Sequence, residues 1–157
     1  MSSRNPVLDA VCRIQELGWF VTNSLFNEPG LWSDGLGTPD EFQLPEFLEV
    51  RHSSKKANED MWQKAVAATP GSLRASWPLD LLTFVATYGE INGAIPPNAL
   101  IFSTGSVFHY EGQTWRLRAN TGQRSIAVVD HTHDDAWRNP YGGPVGYLVM
   151  RSAGAAD

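Results

Sequence analysis

The chain has 157 residues, 42% of them hydrophobic and 18% charged, with a net charge of −5 and a pI near 5.3. This is one domain's length, enough to bury a core, and the composition excludes a disordered, collagenous, coiled-coil or disulfide-scaffold chain. The acidic balance also excludes nucleic-acid binding by bulk charge, so any such contact needs a local basic face.

Asn5-Pro6 reads as a helix start, with Asn as cap and Pro in the first turn. Val7, Leu8, Val11, Ile14 and Leu17 recur at helical spacing and Gly18 can stop the helix, which predicts a helix over 6–17. Cys12, the single cysteine, falls inside this apolar pattern and is expected as a buried thiol. With no second cysteine there is no intramolecular disulfide, and a cytoplasmic protein is expected. Met1–Asn5 lacks the features of a signal peptide, and no apolar run approaches the ~18–20 residues of a membrane span, so no membrane partner is expected. Trp19–Thr22 reads as a strand. Asn27–Pro39, rich in Gly and Pro, reads as a long loop anchored by Trp32. Glu41–Gln43 and Phe47–Arg51 read as two strands of a hairpin turning at Leu44-Pro45.

Ala57–Thr69 has strong helix formers, and Pro78 opens a further helix whose apolar face is Leu81, Leu82, Phe84, Val85 and Tyr88. From Ala99 the pattern turns to strands: 100–102, then 107–110 and 114–118 as a hairpin about Glu111-Gly112, then 126–129 and 147–150. Asp130–Gly146 reads as a second long polar loop. The expectation is a single α+β domain over residues 1–152, with helices packed on one mostly antiparallel mixed sheet and 153–157 as a flexible tail. Charge is unevenly spread: residues 1–60 carry five basic and ten acidic side chains.

Three constellations could carry chemistry. In the first, alternation along a strand puts Glu49 and Arg51 on one face, and Asp40 could meet Glu49 across the expected hairpin. Converging carboxylates of this kind hold a divalent cation that activates water beside a phosphate. The helix end Gln15-Glu16-Leu17-Gly18-Trp19, the pair Pro39-Asp40, the strand Phe47–Ser53 and the helix Leu81–Gly89 leading into strands together resemble the PD-(D/E)xK nuclease superfamily, in the Holliday-junction-resolvase style. The resemblance implies a nucleic-acid-processing protein with a variant or degraded nuclease-like core. Glu16, Asp40, Glu49 and Arg51 would be catalytic, and Mg or Mn would sit on Asp40 and Glu49. Arg51 stands where the family has Lys, and a guanidinium holds its proton too tightly to act as a base.

The second constellation is Asp130–Asp135, in which His131 and His133 would point the same way on an extended backbone. With His109 they could form a zinc site and a metal-dependent enzyme; the plain alternative is a polar turn. The third is Arg116, Arg118 and Arg124, a candidate phosphate-binding face for nucleic acid, or else a solvated sheet face. Trp115 alternates with the arginines and is expected to face the core, as are Trp19 and Trp62. Trp32, Trp77 and Trp137 lie in loops or at element ends. Trp32, beside Glu28 and Asp34, and Trp137 are the candidate anchors for a basic protein partner.

The segment Trp77–Gly89, a Pro-led amphipathic helix ending in Tyr88-Gly89, resembles bacterial SUKH immunity domains. That resemblance implies a different class of function: a non-enzymatic protein-binding module, immunity-like or a phage or defence accessory factor.

Overall fold

The computed structural model describes residues 5–22, 29–50, 54–69, 71–91, 97–131, 139–140 and 142–152. Among the described residues three α-helices, α1 (Pro6–Glu16), α2 (Lys55–Ala68) and α3 (Pro78–Ile91), join eight strands: β1 (Phe20–Val21), β2 (Leu44–Glu49), β3 (Leu73–Ala75), β4 (Leu100–Ser103), β5 (Phe108–Tyr110), β6 (Gln113–Asn120), β7 (Ser125–Asp130) and β8 (Val145–Arg151). The strands form one mixed sheet in the order β1-β7-β6-β4-β8-β2, with β3 beside β8 and β5 beside β6. Only β1–β7 and β4–β8 pair in parallel among the described strands. The expected α+β domain with a mostly antiparallel sheet is what the chain forms.

Local chemistry accounts for most boundaries. The Asn5 side chain accepts the Val7 and Leu8 N–H groups, with Pro6 at the first helical position, satisfying donors that the first turn leaves orphaned. Ser54 caps α2 through the Ala57 N–H. At the β5–β6 hairpin, Glu111 and Gly112 both have positive φ, 50° and 75°, the mirror-type turn that matches strand twist.

Each sheet face has its own core. Val7, Val11 and Ile14 of α1 and Leu81, Leu82 and Val85 of α3 pack with Ile101, Leu117, Ile126 and Leu148. On the opposite face Leu100, Phe102, Val145 and Tyr147 pack beneath Met61 and Trp62 of α2. Alternation along β4 and β8 distributes their residues between the two cores. Trp19 and Trp115 belong with the first core and Trp62 with the second, as expected. Cys12 is exposed instead, because it lies one helical step off the Val11–Ile14 stripe.

Two further expectations are corrected. There is no hairpin at Leu44-Pro45: residues 44–49 form one strand against β8. The Val50 N–H donates to Val145 O, so the even-numbered residues of β2 hydrogen-bond toward β8. Pro45 then points its missing N–H outward, where an edge strand tolerates it.

Trp32 is not a surface anchor but is 3% exposed. It bridges to Phe108 and stacks edge-on against its ring. The loop around it is tied down by Ser33 N–H to Val107 O, by Leu79 N–H to Leu36 O and by the Ser106 hydroxyl to Gly35 O. Gly37 has φ +96°, and a Cβ there would come within 2.6 Å of Trp77; only glycine lets the loop close on the start of α3. A loop so fixed completes the core and does not present an indole to a partner.

Candidate functional site

The start of α3 is rigidly held. The Ser76 hydroxyl donates to Leu148 O at 2.6 Å, and its backbone N–H donates to Thr104 Oγ1 at 2.6 Å. Asp80, in the first turn, accepts the Trp77 N–H at 2.8 Å, which caps the helix and suits its dipole. From that start Leu79, Asp80, Thr83, Phe84 and Thr87 recur at helical spacing along one stripe. This stripe is one wall of a cleft of about 580 Å³ whose other wall is Pro39–Pro45, with Pro6 of α1 and Met150 of β8 completing it. The lining is mostly apolar, and among the described residues its two charged members, Asp40 and Asp80, are both acidic.

Arg74 of β3 locks the two walls together. Its guanidinium grips Asp40 with a fork, Nε to Oδ2 at 3.0 Å and Nη2 to Oδ1 at 2.9 Å. It reaches Asp80 with Nη1 to Oδ2 at 2.7 Å and donates to Ala75 O at 2.8 Å. The cation lies 3.9 Å from the Trp77 ring centre and 5.3 Å from that of Phe42, a stacked geometry that lysine could not reproduce. Burial pushes the Asp40 carboxyl up, but hydrogen bonds from Arg74 and the Phe42 N–H, with the Arg74 charge, outweigh it and hold the group below its ordinary range. Burial likewise pulls Arg74 down, and Asp80 and Asp40 more than offset it and raise it. One cation thus faces two carboxylates, leaving one negative charge in excess at this end of the cleft. Side-chain exposure is 30% for Asp40 and 11% for Asp80.

A second charged cluster lies under α2. Arg116 is 5% exposed. It donates to Ser103 O and Thr104 O at 3.0 and 2.6 Å and to Glu59 Oε1 at 2.8 Å. The other Glu59 oxygen takes the Trp62 indole N–H at 2.6 Å. His131, fully buried, lies 3.3 Å from the Tyr147 hydroxyl and against the Phe102 ring. Burial, aided by the charges of Arg116 and Lys55, drives the His131 pKa down to about 3. It is therefore neutral near pH 7, and its 3.8 Å approach to Glu59 is not an ion pair. Burial, reinforced by Glu59, raises Tyr147 far above the phenol range. Arg116 and Glu59 pair here one to one.

The residues singled out from sequence fall as follows. Glu16 is exposed at the end of α1, Glu49 is exposed at the end of β2, and Asp40 is committed to Arg74. Among the described residues no group of three His, Cys, Asp or Glu side chains is placed to hold a metal. Glu16, Asp40 and Glu49 thus form no common centre. His109 is exposed on β5 while His131 is buried under α2. Arg51, His133 and Trp137 lie outside the described residues.

The expected basic face is corrected at Arg116, whose charge is neutralised inside the protein. Arg118 shares that sheet face and Arg124 is exposed in the β6–β7 turn, so the three do not make one open surface. Sequence reading missed Arg74, Asp80 and Glu59. Asp80 carries a legible signal, an acid two residues after a first-turn Pro. Arg74 and Glu59 carry none, because the partners that define them come from Asp40, 34 residues away, and Arg116, 57 residues away.

Comparison with known protein families, curated proteins and solved structures gives no match. Among the described residues no helix is long and apolar enough to cross a membrane.

Proposed function

We propose that this chain is a non-enzymatic binding module that engages another protein through the cleft between α3 and residues 39–45. The observation that carries the reading is the cleft itself, mostly apolar and about 580 Å³. Its walls come from separate parts of the chain and are fixed before binding by one stacked arginine that makes six hydrogen bonds. Concave apolar sites with a few fixed polar groups are where proteins take ligands, and fixing them beforehand lowers the ordering cost of association. The wall-forming helix is also the segment with immunity-domain resemblance, so the module belongs with immunity-like or defence accessory proteins in this reading.

The test is to pan a random peptide library against the protein and to measure the selected peptides on a Thr83→Trp variant. Thr83 is exposed in the cleft, so an indole there fills the site at little cost to the fold. Selected peptides should lose most of their affinity for the variant. Peptides that bind it undiminished, or a failure to select any, would count against the reading.

A further inference from the structure

We infer that the partner segment taken by this cleft presents an apolar side chain next to a lysine or arginine, the cation docking on the open side of Asp40. This rests on the binding-module reading and goes beyond it by specifying the partner's chemistry. The charge count among the described residues supports it. The two charged lining residues are both carboxylates, and the one cation on them, Arg74, is 16% exposed and approaches from β3, not from the cleft lining. Two anions and one cation leave a net negative charge beside an apolar trough. Asp40 keeps 30% of its side chain exposed, and Glu41, exposed next to it, adds to the same field.

A neutral apolar occupant would strip water from that excess charge without replacing it, and an acidic one would be repelled. A cation beside an apolar group satisfies both parts of the site: the trough takes the apolar side chain while the ammonium or guanidinium pairs with Asp40. Thr83, whose exposed side chain lies one turn beyond Asp80 on the same stripe, can supply a hydroxyl acceptor. A protein segment, not a free small amine, is the occupant because the cleft is a trough open along α3 from Leu79 to Thr87. That stripe is two turns long and runs well past the acids at its start, so the apolar contacts extend beyond the reach of one small cation.

The experiment uses the whole chain and three blocked pentapeptides, acetyl-Gly-Leu-Phe-X-Gly-amide, with X as lysine, norleucine or glutamate. Affinities are read by fluorescence anisotropy in competition with a labelled lysine peptide. The lysine peptide should bind about tenfold tighter than the norleucine peptide at low salt, with the gap narrowing at high salt, and the glutamate peptide should bind weakest. A Thr83→Lys variant, whose melting temperature should match the parent's, should invert the order of lysine and glutamate.

Equal binding of the lysine and norleucine peptides would overturn the inference while leaving the cleft reading intact. No measurable binding of any peptide would overturn both. Hexylamine competing as strongly as the lysine peptide would assign the site to small amines and overturn the choice of a protein segment. A lysine peptide that binds Thr83→Lys undiminished would place its site elsewhere and overturn it as well.

Discussion

The Arg116 and Arg74 clusters are built from the same parts, an arginine and its carboxylates, and they differ in stoichiometry and in what lies beside them. Arg116 meets one carboxylate, Glu59, and spends its other hydrogen bonds on backbone oxygens in the core. Arg74 meets two carboxylates at the mouth of a cleft. Both cations face aromatic rings, Tyr147 for the first and Trp77 and Phe42 for the second. A balanced pair beneath α2, away from the cleft, serves the fold, because each charge has its counter-ion. An unbalanced pair at an opening has charge left over, and that surplus is what can act on something outside the protein. Perturbed ionisable groups alone do not mark a site, since the strongest perturbations, on Tyr147 and His131, lie in the α2 cluster.

If the contrast is right, removing a partner should cost most where the charge is buried. Glu59→Leu leaves Arg116 uncompensated and should lower stability by about 3 kcal/mol in urea unfolding. The double change Glu59→Leu with Arg116→Met should recover most of that loss, because a well-packed apolar pair can replace a buried ion pair. A mild effect of the single change would mean that solvent reaches Arg116 and the cluster is not sealed.

His131 gives the next largest effect, and its sign is fixed. The unfolded chain takes up a proton on this imidazole below its ordinary pKa of 6.5, whereas the folded state resists until about 3. Stability is therefore full above pH 6.5 and falls as the pH drops toward 3, by about 2 kcal/mol between pH 7 and 5. His131→Gln should flatten that slope in denaturation curves taken across the range. An unchanged slope would show that other groups carry it.

In the open cluster the costs should be smaller. Arg74→Ala leaves the partly exposed Asp40 and the largely buried Asp80 without their cation and unpins the 39–45 wall, and should cost about 1–2 kcal/mol. It should also weaken cleft binding, since the walls are no longer held. Stability lost without any change in binding would separate the arginine from the cleft.

Asp40→Asn should be the mildest, under about 1 kcal/mol near neutral pH. Because its folded pKa is lowered from 3.8, Asp40 stabilises the fold above that value and loses the contribution as the pH falls through the lower, folded pKa. The variant should lack that part of the acid limb while losing affinity for cationic peptides at pH 7.

The same contrast explains what could be read in the sequence. Helices, hairpin turn and core faces were legible because their causes are local: the Asn5-Pro6 cap, the Val7–Val11–Ile14 stripe, the Glu111-Gly112 turn. The β2 edge strand was misread as a hairpin because Pro45 signals a turn locally, and only pairing with β8 shows that its missing N–H points outward. Trp32 was misread because a loop of glycines and prolines carries no sign of what it closes over. Arg116 and Arg118 alternate as a solvated face would, and only the packing of α2 over the sheet turns Arg116 into a core residue. The cleft was the least legible part. The helix itself was legible, but of its lining stripe only Phe84 was singled out, and the opposite wall and the Arg74 lock are tertiary and cannot be inferred from residue spacing.

The most direct test of the binding claim is an amide chemical-shift titration of the ¹⁵N-labelled protein with the lysine pentapeptide. The account predicts shifts confined to residues 39–45, 79–87 and Met150, with the α2 face around Glu59 and Trp62 unmoved. Shifts centred on α2, or spread evenly over the sheet with no focus at the cleft, would contradict it.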